Sequence, residues 1–208
     1  MTTDIKSHWE SIYRDKLFTE LSWYQQVPEV SLRFLKELDI HRDAAIIDIG
    51  GGESYFVDHL LELGYQNITV LDIAETAIER AKKRLGERAR SVKWVVADVT
   101  TFVPPEQYTV WHDRAAFHFL TSKNAVDKYV EIVRKGIRPN GILVLGTFSE
   151  SGPVKCSGLE IRQYSEASMT KLLKQFFQRI KCITVDHRTP GDAIQNFLFC
   201  SFRRLAVA

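Results

Sequence analysis

The segment 44–54, AAIIDIGGGES, constrains the fold of this chain more than any other part of it. An apolar run leads to Asp48 and then to three consecutive glycines. Such a run is typical of a strand buried on both faces, and glycines let the backbone turn tightly and approach a ligand with no side chain between. The apolar spacing that follows, at Phe56, Leu60 and Leu63, predicts a helix. The segment therefore predicts a strand, a glycine turn and a helix, with a ligand at the turn.

Two more apolar runs end in an acid. Asp72 follows the run 68–71 and lies 22 residues after Gly50, and Asp98 ends the segment 94–98. In an open α/β sheet, the carboxyl ends of parallel strands share one edge, where a carboxylate accepts hydrogen bonds from ribose hydroxyls. Each acid alone is more typical of a helix N-cap or a turn than of a ligand site, but three in register favour a ligand site. Because acids repel a pyrophosphate, and Tyr55 replaces the third glycine of GxGxxG, we expect a positively charged nucleoside rather than a dinucleotide.

Alternating patterns along the chain predict an α/β fold. Strands are expected near 44–49, 67–72, 92–97, 108–112, 141–148, 179–187 and 194–203, and helices near 4–13, from Pro28 onward, and near 53–64, 74–86 and 122–137. The short Pro190-Gly191 turn predicts that the last two strands form an antiparallel hairpin. Pro104-Pro105 and the segment 149–158 are expected to be loops. The result is a seven-stranded, mostly parallel sheet with the last strand antiparallel and helices on both faces.

Composition indicates one globular domain over residues 1–208. The chain has 208 residues, 45% of them hydrophobic, and a net charge of +2, which is too small to indicate a nucleic acid or membrane partner. The basic cluster within 79–90 is mixed with acids, so we interpret it as a solvated helix face. Cys156, Cys182 and Cys200 lack metal-ligand spacing, and their odd number favours reduced thiols in the cytoplasm. Without a signal-like or membrane-spanning apolar stretch, neither export nor membrane insertion is expected, and no metal site is predicted.

Four segments together resemble the class I S-adenosylmethionine-dependent methyltransferases. They are IIDIGGGES, VLDIAETAIERAKKRL, WVVADVT and IRPNGILVLGTF, and the resemblance runs from about Pro28 to the C-terminus. It implies a Rossmann-like fold and S-adenosyl-L-methionine as the cofactor. One departure is Ser54, which stands where many members have a third glycine.

The resemblance also implies roles for individual residues at the glycine turn and the strand ends. Gly50 and Gly52 would pack against the methionine part of the cofactor, and Asp48 would meet its ammonium group. The remaining implied contacts are Asp72 with the ribose, Asp98 with the adenine amino group, and Ile73 and Val99 with the adenine ring.

A second informative segment is YTVWHDRAAFHFL at 108–120, which a strand delivers to the same sheet edge. Its Asp-Arg-Ala resembles an element of thiopurine S-methyltransferase-like enzymes, which implies that Arg114 pairs with the cofactor's carboxylate. Asp113 and His118 are the candidate catalytic residues. Residues 1–27 are expected to form a lid, in which Trp9 contacts the cofactor and Trp23 and Tyr24, together with Trp111 from the strand, wall the acceptor site.

Structural roles compete with several of these assignments. Phe117, Phe119 and Leu120 surround His118 in sequence and favour a packed histidine over a general base. An aromatic pair four residues apart, as at Trp9 and Tyr13, most often marks a buried helix face. Cys156 and His187 would be able to meet across the acceptor site, but structural roles are preferred for both.

Three hypotheses for function remain. The first is a methyltransferase for a small-molecule acceptor, with a thiol preferred, and it predicts an enclosed, aromatic-lined pocket under the N-terminal segment. The second is a protein lysine methyltransferase, which predicts an open groove lined with acids. The third is a noncatalytic binding module, which the intact glycines and acids disfavour. HDRA stands where amide-nitrogen and adenine-nitrogen methylating groups carry an Asp/Asn-Pro-Pro-aromatic signature, so those acceptors are disfavoured.

Overall fold

The computed structural model describes residues 4–206, and the ends of the predicted 1–208 domain, 1–3 and 207–208, lie outside the described residues. The described part contains six α-helices and nine strands. The helices are α1 (Ile5–Asp15), α2 (Glu29–Glu37), α3 (Phe56–Glu62), α4 (Glu75–Leu85), α5 (Lys123–Gly136) and α6 (Glu166–Leu173). The strands are β1 (Ala45–Ile49), β2 (Asn67–Asp72), β3 (Val92–Val96), β4 (Tyr108–Arg114), β5 (Ile137–Phe148), β6 (Lys155–Cys156), β7 (Leu159–Glu160), β8 (Phe177–Arg188) and β9 (Ile194–Arg204).

Seven strands form one sheet in the order β3-β2-β1-β4-β5-β9-β8. The pairs from β3 to β5 are parallel, and β9 runs antiparallel to both β5 and β8. The predicted sheet, its antiparallel last strand and its terminal hairpin are therefore confirmed. The chain order reverses between β1 and β4, which is the place where open α/β sheets bind ligands.

Both faces of the sheet are covered, because the central strands are apolar on both sides. On one face, α5 and α6 bury residues such as Tyr129 and Met169 against the sheet. On the other face, α2 and α3 bury residues such as Phe34 and Phe56. Neighbouring residues of β1 divide between the faces: Ile46 belongs to the second core and Ile47 to the first. This alternation follows from the two-residue period of a strand.

The sequence analysis missed two features on the β5 side of the sheet. The predicted loop 149–158 contains β6, which pairs with β7 in a short hairpin whose turn is Ser157-Gly158, both with positive φ. Helix α6 was not predicted either. It begins at Ser165, whose side chain accepts a hydrogen bond from the Ser168 backbone N–H. None of the described helices has both the length and the apolar character needed to cross a membrane.

The expectation that all three cysteines are reduced is wrong in this structure. Cys182 and Cys200 are directly opposite each other in the β8–β9 pair and form a disulfide, which leaves Cys156 as the free, buried cysteine of the described chain. Sequence spacing alone does not reveal this pairing, because it depends on the register of the hairpin. The cytoplasmic location rested on the cysteine count and stays a prediction.

Candidate active site

A cavity of ≈ 520 Å³ lies at the carboxyl ends of β1 to β4. Its floor comes from the strand ends and the turns that follow them, and its roof comes from α1 and the segment after it. The floor residues include Ile49, Gly50, Asp72, Ile73, Ala97, Asp98, Val99, Ala115 and Ala116. The roof residues are Ile5, Trp9, Tyr13 and Trp23, and the far wall includes Phe119, Leu120, Cys156, Leu159 and Glu160.

The glycine turn leaves no room for side chains. Gly50 and Gly52 have φ angles of +64° and +40°, which non-glycine residues rarely adopt. A Cβ atom on Gly50 would lie 2.7 Å from Cβ of Ala116, and one on Gly52 would lie 2.7 Å from Oδ2 of Asp72. Ser54 does not disturb the turn, because its hydroxyl accepts a hydrogen bond from the Phe56 N–H at the start of α3. The turn thus brings the ends of β1, β2 and β4 into contact.

Two of the three acids expected at the cofactor, Asp72 and Asp98, line the cavity. Asp72 is 5% exposed; its Oδ1 accepts a 2.8 Å hydrogen bond from the Ala74 N–H, and burial raises its pKa to about 7. Asp98 is exposed, and its Oδ1 accepts hydrogen bonds from the backbone and side chain of Thr100 at 2.7 and 2.8 Å. In both residues, Oδ1 fixes the carboxyl group and Oδ2 is left for a ligand. Ile73 and Val99 follow these acids and also line the cavity.

Asp48 lies beneath the glycine turn rather than in the cavity lining. It is 3% exposed, and its Oδ1 is 2.6 Å from Nδ1 of His112, whose Nε2 is 2.8 Å from the hydroxyl of Ser31. A Cβ atom on Gly51 would be 2.5 Å from Oδ2 of Asp48. The carboxylate therefore supports the turn from below, and its contact with the cofactor's ammonium group stays a prediction.

Side chains of the N-terminal segment line the cavity, and the lid role of residues 1–27 stays a prediction. Trp9 meets Phe119 and Trp23 edge to face, with ring centroids 4.9 and 5.7 Å apart. Tyr24 does not line the cavity, because its ring packs on Phe18 and Tyr55. The prediction that Tyr24 walls the acceptor site is therefore wrong in this structure.

Two side chains from the sheet hold the segment after α1 in place. Nη1 of Arg114 donates a 2.9 Å hydrogen bond to the carbonyl oxygen of Trp23, and Nε2 of His187 lies 2.7 Å from the carbonyl oxygen of Ser22. Nδ1 of His187 is 3.4 Å from the side-chain amide of Gln25. His187 therefore has a structural role and does not meet Cys156 across the cavity, whereas Arg114 and Cys156 both line it.

Strand alternation corrects two assignments on β4. Trp111 and Asp113 point toward α5, where the Trp111 indole N–H donates to the hydroxyl oxygen of Tyr129 and the Tyr129 hydroxyl donates to Asp113. Asp113 also accepts hydrogen bonds from the Ala116 and Phe117 backbone N–H groups and is fully buried. Neither side chain lines the cavity. Trp111 is thus a core residue, and Asp113 orders the turn after β4 instead of contacting reactants.

His118 is also absent from the cavity lining. It is fully buried; its Nδ1 accepts a 3.3 Å hydrogen bond from the Phe148 N–H, and its ring packs against Phe119 and Phe148. Burial lowers its pKa to about 3, so the ring is neutral at physiological pH. The packed histidine that the sequence analysis favoured describes this residue better than a general base does.

The β6–β7 hairpin contributes wall residues that sequence analysis did not assign to the site. Cys156, Leu159 and Glu160 line the cavity from a segment that was predicted to be a loop or was left unassigned. The dipeptide Ser157-Gly158 was the available signal, since such pairs mark tight turns. The sequence does not indicate that this hairpin lines the same cavity as the end of β4.

Sequence comparisons match this chain to a methyltransferase family model and to several methyltransferases. Residues 46–141 match a family model described as a methyltransferase domain. The chain is 26% identical over 161 residues to EEF1A lysine methyltransferase 2 of Danio rerio, covering 67% of this chain and 66% of that protein. It is 32% identical over 114 residues to malonyl-[acyl-carrier protein] O-methyltransferase of Anoxybacillus flavithermus, covering 53% of this chain and 41% of that one. The chain thus spans less than two thirds of either relative.

Solved structures share the fold at low sequence identity. One of them comes from a study of the conversion of a disulfide bond into a thioacetal group during echinomycin biosynthesis. It has a TM-score of 0.78 at 18% identity, and the match covers 97% of this chain and 93% of that chain. Another is N-methyltransferase NodS from Bradyrhizobium japonicum WM9 in complex with S-adenosyl-L-homocysteine, with a TM-score of 0.70 at 18% identity, covering 94% and 97%.

The residues at the floor of the cavity fit the cofactor of this family. Gly50, Asp72 and Asp98 line the cavity, the Oδ1 of each acid is held by hydrogen bonds, and the volume is within the usual range for small-molecule sites. Gly52 does not line the cavity, because Asp72, Tyr13 and Ala77 pack around it. Residues 46–141 carry a methyltransferase domain, and the chain is similar in fold to S-adenosylmethionine-dependent methyltransferases.

Proposed function

We propose that this protein transfers the methyl group of S-adenosyl-L-methionine to a small-molecule acceptor, with a thiol preferred. The observation that carries the proposal is a single cavity lined both by Gly50, Asp72 and Asp98 and by an aromatic wall. Trp9, Trp23 and Phe119 form that wall beneath the N-terminal segment. Enclosure of this kind suits a small acceptor better than a protein side chain that arrives in an open groove.

The proposed binding roles follow the cavity floor. Asp72 would hold the ribose, Asp98 the adenine amino group, and Ile73 and Val99 the adenine ring, while Gly50 and its turn would lie along the methionine part. When bound, the cofactor supplies a sulfonium-activated methyl group. The chain's own contribution is to orient the acceptor and exclude water, and alignment of this kind supplies roughly 7–11 kcal/mol of a barrier.

A protein lysine methyltransferase is the second candidate, and the similarity to the Danio rerio protein favours it. Acids at the acceptor end would support this candidate. Glu160 is the acid of the described residues at that wall, and it is exposed and paired with Lys155 at 2.8 Å. Such an exposed pair adds little to the binding of an ammonium group.

Turnover with labelled cofactor distinguishes the two candidates. The protein is incubated with labelled S-adenosyl-L-methionine and either a panel of small thiols or a cell extract, and S-adenosyl-L-homocysteine and labelled protein bands are measured. We expect thiol-dependent formation of S-adenosyl-L-homocysteine. Labelled protein bands without thiol turnover would contradict the small-molecule proposal and support the lysine candidate. Absence of cofactor binding in calorimetry would contradict both.

A further inference from the structure

Arg114 is a partly buried cation that lacks an ion-pair partner among the described residues. One of its nitrogens, Nη1, donates to the carbonyl oxygen of Trp23, while Nε and Nη2 are buried and have no hydrogen-bond partner. Burial lowers the pKa of Arg114 to about 10, so the guanidinium remains charged at neutral pH. A nearby acid, Asp48, is already engaged by His112 at 2.6 Å. Two adjacent free N–H groups on a desolvated cation form a fork that matches an anion.

This guanidinium lies on what we call the acceptor half of the cavity, the part lined by Arg114, Phe119, Cys156, Leu159 and Glu160. Arg114 is opposite Gly146 of β5, and its Cζ is 5.2 Å from the ring centroid of Phe197 on β9. The side chain therefore extends toward β5 and β9, whereas the proposed cofactor residues lie at the ends of β1, β2 and β3. In the turn after β4, it is Ala116 and not Arg114 that packs beside Gly50.

The acceptor half also lacks a buried base among the described residues that line it. Asp113 and His118, the two residues expected to supply one, point away from the cavity and are occupied elsewhere. Glu160 is exposed and paired with Lys155. Burial raises the pKa of the Cys156 thiol, which keeps it protonated. An acceptor that binds here must therefore arrive with its nucleophile already deprotonated, or lose its proton to solvent.

We propose that Arg114 selects a small acceptor that is anionic at its methyl-accepting end, a thiolate or a carboxylate. This inference rests on the proposed function and names its substrate class. The anionic acceptor atom forms a bond to the methyl carbon while the bond from that carbon to the cofactor's sulfur breaks and leaves its electron pair on the sulfur. Neutral S-adenosyl-L-homocysteine results, and no proton has to be removed in the step. A cationic amine would meet the uncompensated charge of Arg114 and be repelled.

Three probes of similar size test the inference: thiophenol, phenylacetate and benzylamine. Binding of each to the complex with S-adenosyl-L-homocysteine is measured by calorimetry, and turnover is measured with S-adenosyl-L-methionine. We expect the wild-type complex to prefer thiophenol or phenylacetate over benzylamine, and the preferred anion identifies the nucleophile. Equal binding of all three probes, or preference for benzylamine, would overturn the inference even if turnover is not observed.

Variants of Arg114 separate acceptor recognition from cofactor recognition. Arg114→Gln should weaken binding of the anionic probe about 10- to 100-fold and leave the Kd for S-adenosyl-L-homocysteine within about twofold. Arg114→Lys keeps the charge and should recover part of the loss. The exposed Arg188, paired with Asp192, provides the control Arg188→Gln, which should change neither constant. Thermal unfolding of each variant checks that it is folded.

Loss of cofactor binding instead of acceptor binding in the Arg114 variant would assign this side chain to the cofactor. A cofactor Kd that rises tenfold or more in Arg114→Gln, with unchanged binding of the anionic probe, would assign Arg114 to the cofactor's carboxylate and overturn the acceptor role. The proposed methyltransferase function would survive that result. A wild-type protein that binds no S-adenosyl-L-homocysteine would instead remove the proposed function, and the inference with it.

Discussion

At the scale of single residues, Asp72 has the best-defined environment in the candidate site. One carboxylate oxygen is fixed by the Ala74 N–H at 2.8 Å, and the other lies at the glycine turn beside the cavity. The side chain is held by its own turn, so it requires little rearrangement to accept hydrogen bonds from a ligand. This preorganisation makes it the residue whose removal tests the cofactor site most directly.

We expect Asp72→Ala to weaken cofactor binding by roughly 1.5–3 kcal/mol, because charge-assisted hydrogen bonds are lost. This corresponds to about a 10- to 150-fold rise in Kd, measured by titration calorimetry. Asp186→Ala, which replaces an acid on β8 away from the cavity, serves as the control. Unchanged affinity in Asp72→Ala would remove Asp72 from the cofactor site.

Sequence reasoning brought Gly50, Asp72 and Asp98 to one sheet edge, because chain order alone determines their positions. Asp48 and Gly52 do not line the cavity, and the cofactor roles of all five residues stay predictions. Gly50, Asp72 and Asp98 line one cavity since each follows a parallel strand. It did worse on β4, where both faces of the strand are buried. Hydrophobicity then gives no sign of which side chains face α5, so Trp111 and Asp113 were assigned to the site although they lie on the other face.

At the scale of elements, the roof of the cavity is attached to helix α4 by an acid from another helix. Ala74, the residue before α4, provides no side-chain cap. Instead, the carboxylate of Glu10 in α1 accepts hydrogen bonds from the backbone N–H groups of Glu75 and Thr76 at 2.7 and 3.1 Å. A carboxylate at this position also interacts favourably with the helix dipole. The contact joins α1 to the sheet domain.

Replacing Glu10 by Ala should lower the free energy of unfolding by about 1 kcal/mol, which is typical for the loss of an N-cap. It should also increase amide hydrogen exchange at Glu75, Thr76 and throughout α1. Chemical denaturation and hydrogen-exchange mass spectrometry measure the two effects. The control is Glu87→Ala, because Glu87 is exposed and pairs only with Arg90 among charged groups of the described chain. Unchanged exchange in α1 would mean that Glu10 does not hold the roof.

The disulfide between β8 and β9 makes a second prediction about elements. It closes a loop with a sequence separation of 18 residues. The chain-entropy model assigns roughly 3 kcal/mol to a loop of this size. We expect dithiothreitol to lower the melting temperature of the wild-type protein and to have little effect on Cys182→Ser. Thiol titration of the denatured, unreduced protein should detect one thiol per chain, and a count of three would contradict the pairing.

Elements without a periodic pattern of their own were the ones missed. Seven strands and five helices were predicted close to their observed positions, because each has an apolar run or a helical apolar period of sufficient length. The β6–β7 hairpin has two residues per strand, and α6 has a weak apolar face beside polar residues. These elements depend on packing against β5 and β8, which is information that local sequence does not contain.

At the scale of the whole molecule, buried acids make stability depend on pH. Burial raises the pKa of Asp72 to about 7 and that of Asp113 to about 6, from 3.8 for both when exposed. Between about pH 4 and the raised pKa of each acid, the folded protein binds more protons than the unfolded chain. The contribution of these two acids to the free energy of unfolding therefore falls as pH rises through this range. His118, whose pKa is lowered to about 3, acts in the opposite direction below pH 6.5.

Comparison with Asp72→Asn isolates one of these groups. Because His118 and Asp113 are common to both proteins, the difference in unfolding free energy reports Asp72 alone. Relative to the variant, the wild-type protein without cofactor should lose stability between about pH 4 and 7, with a slope of up to about 1.4 kcal/mol per pH unit. Denaturation curves across this range provide the measurement. A difference that does not vary with pH would show that Asp72 is ionised throughout.

The proposed cofactor residues and part of the remaining cavity lining come from different stretches of the chain. Gly50, Asp72 and Asp98 fall within the segment 46–141 that matches the family model, as do Arg114 and Phe119. Trp9, Trp23, Cys156, Leu159 and Glu160 come from before and after that segment. Exchange of the flanking segments would therefore alter part of the cavity wall without changing Gly50, Asp72 or Asp98. Homologues with matching central segments and unlike flanks should be expected to differ in acceptor.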